Sequence, residues 1–287
     1  MLNQSLVKSL VCLSSIAVGV TISAAAASAQ TDFYNTDAGR PVQIEDAYAT
    51  ERYAFELKLA PVRLERVQGG QYNWSIEPEL AYGILPRTHV EVGLPLAYSD
   101  PGNNRSRGGV AGLDVSLFHN LNVETRTLPA LGLRGDVLFP VGALGPDRTF
   151  VSLKGIATRT FVWSRFHLNG QYTFGPSPGQ STSGVGTAPA SSGGTEVSRW
   201  LAGIAVDKTY PLKAMLVTAD FFARQPIFEE ESVDYNLGTG MRYQINPKWA
   251  VDGGLGRRLN GPDEGWFATF GTAYAFGLAS LIPGSGQ

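Results

Sequence analysis

The chain has 287 residues, with 25 acidic against 23 basic side chains and a formal net charge of −2. That balance excludes a nucleic-acid binder, which carries a basic excess, and a single cysteine, Cys12, excludes a disulfide framework. Mean hydropathy is near zero and no long apolar segment follows residue 22, which excludes a bundle of membrane helices and suits strands that average a polar and an apolar face.

Lys8, an apolar run over residues 9–22 and the close Ala27-Ser28-Ala29 form the pattern of a secretory signal peptide, residues 1–29. Cys12 sits at the start of the apolar run, away from the cleavage site, which argues against a lipoprotein anchor and leaves the exported chain without a thiol. Loss of Lys8 leaves 22 basic against 25 acidic residues, a net charge of about −3. Residues 30–50 show no periodicity and are expected to be an irregular periplasmic lead-in or plug.

From residue 51 a period of two takes over. Tyr53, Phe55, Leu57 and Leu59 oppose Glu56 and Lys58, and Pro61 breaks the phase. Tyr72, Trp74, Ile76, Leu80 and Tyr82 then alternate with Asn73, Ser75, Glu77 and Glu79. A Gly-Ile-Leu-Pro-Arg turn follows, and Val90, Val92, Leu94, Leu96 and Tyr98 oppose Glu91 and Gly93. Two such runs around a short turn predict an antiparallel hairpin with one bulky and one charged face. Leu113, Val115 and Leu117 oppose Asp114 and Ser116; Leu131, Leu133, Val137 and Phe139 oppose Arg134 and Asp136; Val151 and Leu153 oppose Lys154. Phe166, Leu168, Tyr172 and Phe174 alternate with His167, Asn169, Gln171 and Thr173. A loop of Gly, Ser, Thr, Pro and Ala spans 175–195 and is expected to be mobile. Trp200, Ala202, Ile204 and Val206 follow, then Met215, Val217 and Phe221 against Thr218 and Asp220. The last three runs carry Tyr235, Leu237, Met241 and Tyr243, then Trp249, Val251 and Leu255 against Asp252, and finally Trp266, Phe270, Tyr274 and Phe276.

Twelve runs result, most close to the length of a tilted membrane strand. Turns at 83–87, 120–126, 161–164, 207–211 and 246–248 alternate with polar or Gly-rich loops at 67–70, 99–109, 142–149, 175–195, 225–231 and 259–265. Such alternation predicts an all-β fold, a single antiparallel outer-membrane barrel over residues 51–278 with both ends on the short-turn side, followed by a tail at 279–287. Aromatics gather near both strand ends: Trp74, Tyr98, Tyr172, Tyr235 and Trp266 at the loop side, and Tyr82, Phe166, Tyr243, Trp249 and Tyr274 at the turn side. Two interfacial belts belong to a barrel in lipid. Pro78, Pro95 and Pro140 count against it, since proline removes a ladder hydrogen bond.

The charged face would line the lumen. Its candidates are Lys58, Glu77, Glu79, Glu91, Asp114, Arg134, Asp136, Lys154, His167, Arg199, Asp220, Asp234, Arg242 and Asp252. Mixed signs read either as a solute-selecting pore lining or as ion pairs that fill a narrow lumen. No His/Cys spacing marks a metal site, and no cofactor motif is present. The His167-Leu168-Asn169-Gly170 run lacks the serine that follows the histidine of outer-membrane phospholipases, and no G-x-S-x-G elbow occurs, so no catalytic residue is assigned. Glu229-Glu230-Glu231 with Asp234 could meet a divalent cation, though a solvated acidic loop explains the run as well.

At Arg40-Pro41-Val42-Gln43-Ile44-Glu45-Asp46-Ala47, at Arg52-Tyr53-Ala54-Phe55-Glu56-Leu57 and at Glu77-Pro78-Glu79-Leu80-Ala81-Tyr82-Gly83-Ile84 the chain resembles the MetA-pathway of phenol degradation family of outer-membrane proteins. The resemblance implies a barrel and uptake of small, hydrophobic or aromatic solutes, and it supplies no catalytic residues. The expected function is passive transport. The alternatives are a barrel enzyme acting on lipid and a structural or adhesive surface protein using the 175–195 loop. Expected partners are outer-membrane lipid and lipopolysaccharide, the barrel-assembly machinery and a small-molecule solute.

Overall fold

A computed structural model describes residues 35–67, 72–100, 107–175, 197–227, 232–260 and 264–278. The expected signal peptide, the 279–287 tail, most of the 175–195 loop and the Glu229–Glu231 run lie outside the described residues.

The fold is all-β. Its segments are β1 (Ala54–Val67), β2 (Tyr72–Leu85), β3 (Thr88–Gly93), β4 (Leu96–Asp100), β5 (Arg107–Val110), β6 (Leu113–Asn122) and β7 (Ala130–Phe139). They continue as β8 (Phe150–Thr160), β9 (Arg165–Phe174), β10 (Ser198–Thr209), β11 (Met215–Pro226), β12 (Asp234–Asn246), β13 (Trp249–Arg258) and β14 (Gly265–Gly277). β3 and β4 both pair with β2 and form one interrupted spanning strand. β5 and β6 form a second, paired with β4 and β3 respectively. Twelve antiparallel spanning strands therefore remain, and β1 closes the ring by pairing with both β2 and β14.

The three prolines are accommodated where the ladder is already interrupted. Pro78 lies opposite Leu59, beside the register shift in β1, and its carbonyl accepts from Leu94 N at 3.0 Å. Pro95 fills the gap between β3 and β4, and its carbonyl accepts from Ala111 N at 2.8 Å. Pro140 falls just after β7. A residue with no N–H costs nothing where the ladder needs no donor.

Strand ends depart from the sequence boundaries by a few residues. β10 runs to Thr209, although Asp207 reads as the start of a turn; the residue instead continues the ladder opposite Arg165.

Alternation separates two environments. Leu57, Leu80, Leu117, Leu153, Leu168 and Leu237 all point outward and are 37–56 % exposed. In water they would form an apolar surface far larger than a soluble monomer carries, so this face meets lipid. At the loop side Trp74 stacks on Tyr98 at 5.7 Å and Phe221 on Tyr235 at 6.2 Å. At the turn side Phe55 stacks on Tyr82 at 4.4 Å and on Phe276 at 5.3 Å.

Leu168 lies near the middle of β9. Leu168→Arg is expected to destabilise the barrel in lipid vesicles by about 2–4 kcal/mol, the cost of a cation on the lipid face near the midplane. A denaturant titration followed by tryptophan emission measures it.

Candidate functional site: a lumen filled by residues 35–50

Residues 35–50 have no strand period, and they occupy the barrel interior. Asn35, Tyr48 and Thr50 border the turn-side mouth, whereas Ala38 and Gln43 border a cavity on the loop side. The segment therefore enters and leaves by the same end, bending where Arg40 N donates to Asp37 O.

A buried backbone without a strand partner must find its hydrogen bonds elsewhere. Here inward side chains of the wall supply them. Asp220 Oδ2 accepts from Gln43 N at 2.8 Å and from Ile44 N at 3.3 Å. Asn169 accepts from Glu45 N at 3.0 Å and returns a bond to Glu45 O at 2.8 Å. Thr158 Oγ1 accepts from Ala47 N, Asn120 Nδ2 donates to Ala47 O, and Thr269 Oγ1 donates to Pro41 O. Near the exit, Thr50 N donates to His89 Nδ1 at 3.0 Å.

Charge pairing is equally specific. Lys58 Nζ lies 2.5 Å from Glu91 Oε1, 2.9 Å from Asp37 Oδ1 and 3.6 Å from Glu79 Oε2. Arg242 Nη1 donates to Asp37 Oδ2 at 2.9 Å and to Asn35 O at 2.6 Å. Arg40, 1 % exposed, reaches Asp37 at 2.9 Å and Asp252 at 3.4 Å. Glu45 meets Lys154 at 2.6 Å and Arg134 at 3.5 Å. Burial pushes the Asp37 carboxyl up, but Lys58, Arg40 and Arg242 together hold it well below the usual carboxylate range.

Glycines on the inward face give the segment room. A Cβ on Gly240 would stand 2.6 Å from Pro41 Cβ, and one on Gly254 would collide with Pro41 O. A Cβ on Gly203 would stand 2.5 Å from Ile44 Cδ1. Ile44 itself is fully buried with Leu201, Ala205 and Phe222, and Ala47 packs with Phe118, Ala130 and Ile156. The wall is shaped to this one segment.

Two spaces remain. The turn-side mouth opens to about 900 Å³ beside Tyr48, Thr50, Trp163, Arg165 and Asp207. On the loop side a cavity of about 80 Å³ lies above Ala38 and Gln43. A cluster of Leu138, Phe150, Val197 and Ile227 forms an apolar collar at that end.

The structure places the sequence-derived lining candidates in three groups. Lys58, Glu91, Arg134, Lys154, Asp220, Arg242 and Asp252 form the bonding set around residues 35–50, with His167 reaching it through Thr158. Glu77, Glu79, Asp114 and Asp136 border the loop-side cavity. Asp234 pairs with Arg224 at 3.6 Å and Arg258 at 3.7 Å. Arg199 departs from the expected lining. It falls in a register shift between Ser198 and Trp200, and its guanidinium donates to the carbonyls of Thr173 and Gly175 at the rim. An extra residue in a bulge moves a side chain off the face that simple alternation gives it.

Arg40, Glu45 and Asp46 were not among the candidates, because nothing periodic marks them as inward. Arg63, Glu65, Arg165, Asp207 and Arg224 are also buried inside. For Arg165 and Arg224 the signal was present, two positions from His167 and Phe222.

One constellation has the polarity of a hydrolase relay. Thr158 Oγ1 lies 2.9 Å from His167 Nδ1, and His167 Nε2 lies 2.8 Å from Asp207 Oδ2. Thr158 Oγ1 also accepts from Ala47 N at 3.0 Å, which commits one of its lone pairs to the lumen segment. The threonine is fully buried beneath residue 47, and Asp207 is also bidentate to Arg165 at 2.9 and 2.7 Å. The hydroxyl is thus spent on the lumen segment, and the relay extends the anchor of Ala47 into the wall. Among the described residues no group of three or more His, Cys, Asp or Glu is arranged to hold a metal ion.

No known family model matches the chain, and no curated protein does. Solved structures do. The COG4313 outer membrane channel from Pseudomonas putida F1 is similar at TM-score 0.50 and 13 % identity, over 80 % of this chain and 98 % of that one. The KdgM porin is similar at TM-score 0.49 and 9 % identity, over 78 % and 99 %. At these identities the likeness concerns architecture. With the apolar belt, polar interior and closed ladder, the likeness to the COG4313 channel makes the fold a twelve-stranded β-barrel of outer-membrane type.

Proposed function

We propose that the protein is an outer-membrane channel or transporter for small solutes, and that residues 35–50 are its re-entrant plug. The observation that carries this reading is the fit between plug and wall: inward glycines leave space where Pro41 and Ile44 sit, and wall side chains satisfy the plug's backbone. A barrel that needed only to be filled could use its own side chains. A separate segment whose two ends share one mouth can leave without threading through the pore.

Membership of the MetA-pathway of phenol degradation group is part of the same proposal. Arg40 to Ala47, one of the three stretches that carry the resemblance, make part of the plug's anchoring contacts. Uptake of hydrophobic or aromatic solutes rests on that resemblance. Outer-membrane lipid and the assembly machinery are proposed partners on the same footing as for any such barrel.

The test is single-channel recording of the exported chain and of a variant lacking residues 35–48. The full chain is expected to give rare, small openings and the shortened one steady conductance. Silence from both, with both shown to be folded barrels, would sink the channel reading.

A further inference from the structure

The lipid-facing wall carries an ordered row of cationic and aromatic side chains at its loop-side edge. Trp266 of β14 stands in register with Arg66 of β1 on one side and with Arg257 of β13 on the other. Arg66 is in turn opposite Tyr72 of β2. Directly opposed residues of an antiparallel pair share a face, and all four are exposed, Tyr72 at 58 % and Trp266 at 61 %. The Arg66 guanidinium lies 5.7 Å from the Tyr72 ring centroid, and that of Arg257 lies 5.3 Å from the Trp266 ring centroid. Both are within reach of cation–π attraction, so the rings hold the cations on the surface.

Position gives the row its surroundings. Next toward the membrane middle, Leu64, Leu255 and Phe270 are 56–62 % exposed on the same face. Beyond the row, β1 ends at Val67, β13 ends at Arg258 and β14 begins at Gly265. The row therefore stands where hydrocarbon gives way to headgroups, and longer loops mark the outer side of such a barrel. Arg66 has no hydrogen bond or ion pair among the described residues. Arg257 Nη2 donates to Glu264 at 2.9 Å, with the two side chains 44 % and 34 % exposed. A pair that open to solvent contributes little, and a guanidinium with five N–H donors can meet a second anion.

We propose that this row is a binding site for lipopolysaccharide, taking the diphosphorylated disaccharide of its lipid A headgroup. Arg66 and Arg257 are two strands apart, roughly 10 Å across the ladder. One phosphate cannot meet both, whereas a headgroup with a phosphate on each of two linked sugars can. Charge-assisted bonds from guanidinium to phosphate are the strong class of hydrogen bond. Trp266 lies between the two arginines in register, where a sugar ring rests its C–H face on the indole. Leu64, Leu255 and Phe270 continue the same surface toward the acyl chains. A phospholipid with one phosphate matches only one of the arginines. The site goes beyond the channel reading and needs no conduction, because its residues face lipid and not the lumen.

The experiment is native mass spectrometry of the full exported chain, folded in detergent and titrated with purified diphosphoryl lipid A. EDTA is present, so that no divalent cation bridges the lipid phosphates to a carboxylate such as Glu264. The parent is expected to bind, and Arg66→Gln/Arg257→Gln to bind about tenfold more weakly, the loss of two exposed charge-assisted contacts. Glu264→Gln should bind more tightly than the parent, because it removes the carboxylate beside Arg257; a folding defect cannot imitate that gain. Monophosphoryl lipid A should bind the parent less tightly and lose less in the double variant. Equal affinity in parent and double variant, or no binding to either, overturns the site. Phosphatidylglycerol that displaces diphosphoryl lipid A one for one overturns the disaccharide assignment in favour of any phosphate lipid. A dimer that forms at the expense of lipid adducts overturns it in favour of a second copy of the chain. A barrel silent in a planar bilayer but binding lipid A loses the channel reading and keeps the site, and a conducting barrel without lipid A binding does the reverse.

Discussion

Replacing Lys58 with methionine is expected to release residues 35–50 from the lumen and leave the barrel closed. Lys58 is 2 % exposed and holds three carboxylates at once, Asp37 from the plug and Glu79 and Glu91 from the wall. Removing one partner of a buried ion pair costs about 3–5 kcal/mol, because the charges left behind stay out of water. That cost falls on the seated state. Once the plug leaves, water enters the lumen and all three carboxylates are solvated, whereas the strand ladder that closes the barrel does not involve the ammonium group. The ratio of released to seated plug should rise by two to three orders of magnitude, and Lys58→Arg should restore much of the hold. The measurement is thiol labelling of Val42→Cys, a position 4 % exposed and packed toward Gly238. Loss of Cys12 with the signal peptide would leave that thiol alone in the chain. An unchanged labelling rate in Lys58→Met would mean that the network fills space without holding the plug.

The wall was legible because a period of two is imposed residue by residue. Leu168 and His167 announce their faces by their neighbours, with no need of anything distant. The same rule fails at Arg199, where one extra residue shifts the phase, and at Asp207, where a polar residue near a strand end imitates a turn. The plug was legible only as an absence of pattern. Glu45 is recognisable as buried only through Asn169 and Lys154, more than a hundred positions away. Ile44 looks like any isolated apolar residue until Gly203 and Phe222 are placed around it. Inward glycines carry the least signal of all, since a glycine opposite Pro41 and one that merely keeps a strand slim look alike in sequence. What a local rule determines was readable; shape complementarity between distant segments was not.

The plug should also respond to pH, and in the direction of closing as the medium becomes acidic. Asp46 lies on the plug, 3 % exposed, and accepts from Thr36 N and Tyr48 N at 3.1 Å each. Arg165 faces it at 3.9 Å, with His167, Tyr48 and Asp207 the other titratable groups around it. Burial pushes its carboxyl up to about 6, against the lowering pull of Arg165 and His167. In a released, hydrated plug the same carboxyl would titrate near 3.9. An acid that holds its proton more tightly when seated penalises seating above pH 6, and the penalty is relieved as pH falls through 6 toward 4. Between pH 7 and pH 5 the released fraction should fall about tenfold. Asp37 works in the opposite sense but elsewhere. Its seated form is held ionised by Lys58, Arg40 and Arg242, so its contribution is present above about pH 4 and lost below that. Release should therefore pass through a minimum near pH 4–5. The labelling rate of Val42→Cys, corrected for the thiol's own ionisation, traces it, and Asp46→Asn should flatten the acidic decline while keeping the rise below pH 4. A decline that survives Asp46→Asn would assign the sensitivity to the wall, where carboxylates such as Glu77 and Asp114 stand apart from the plug's own bonds.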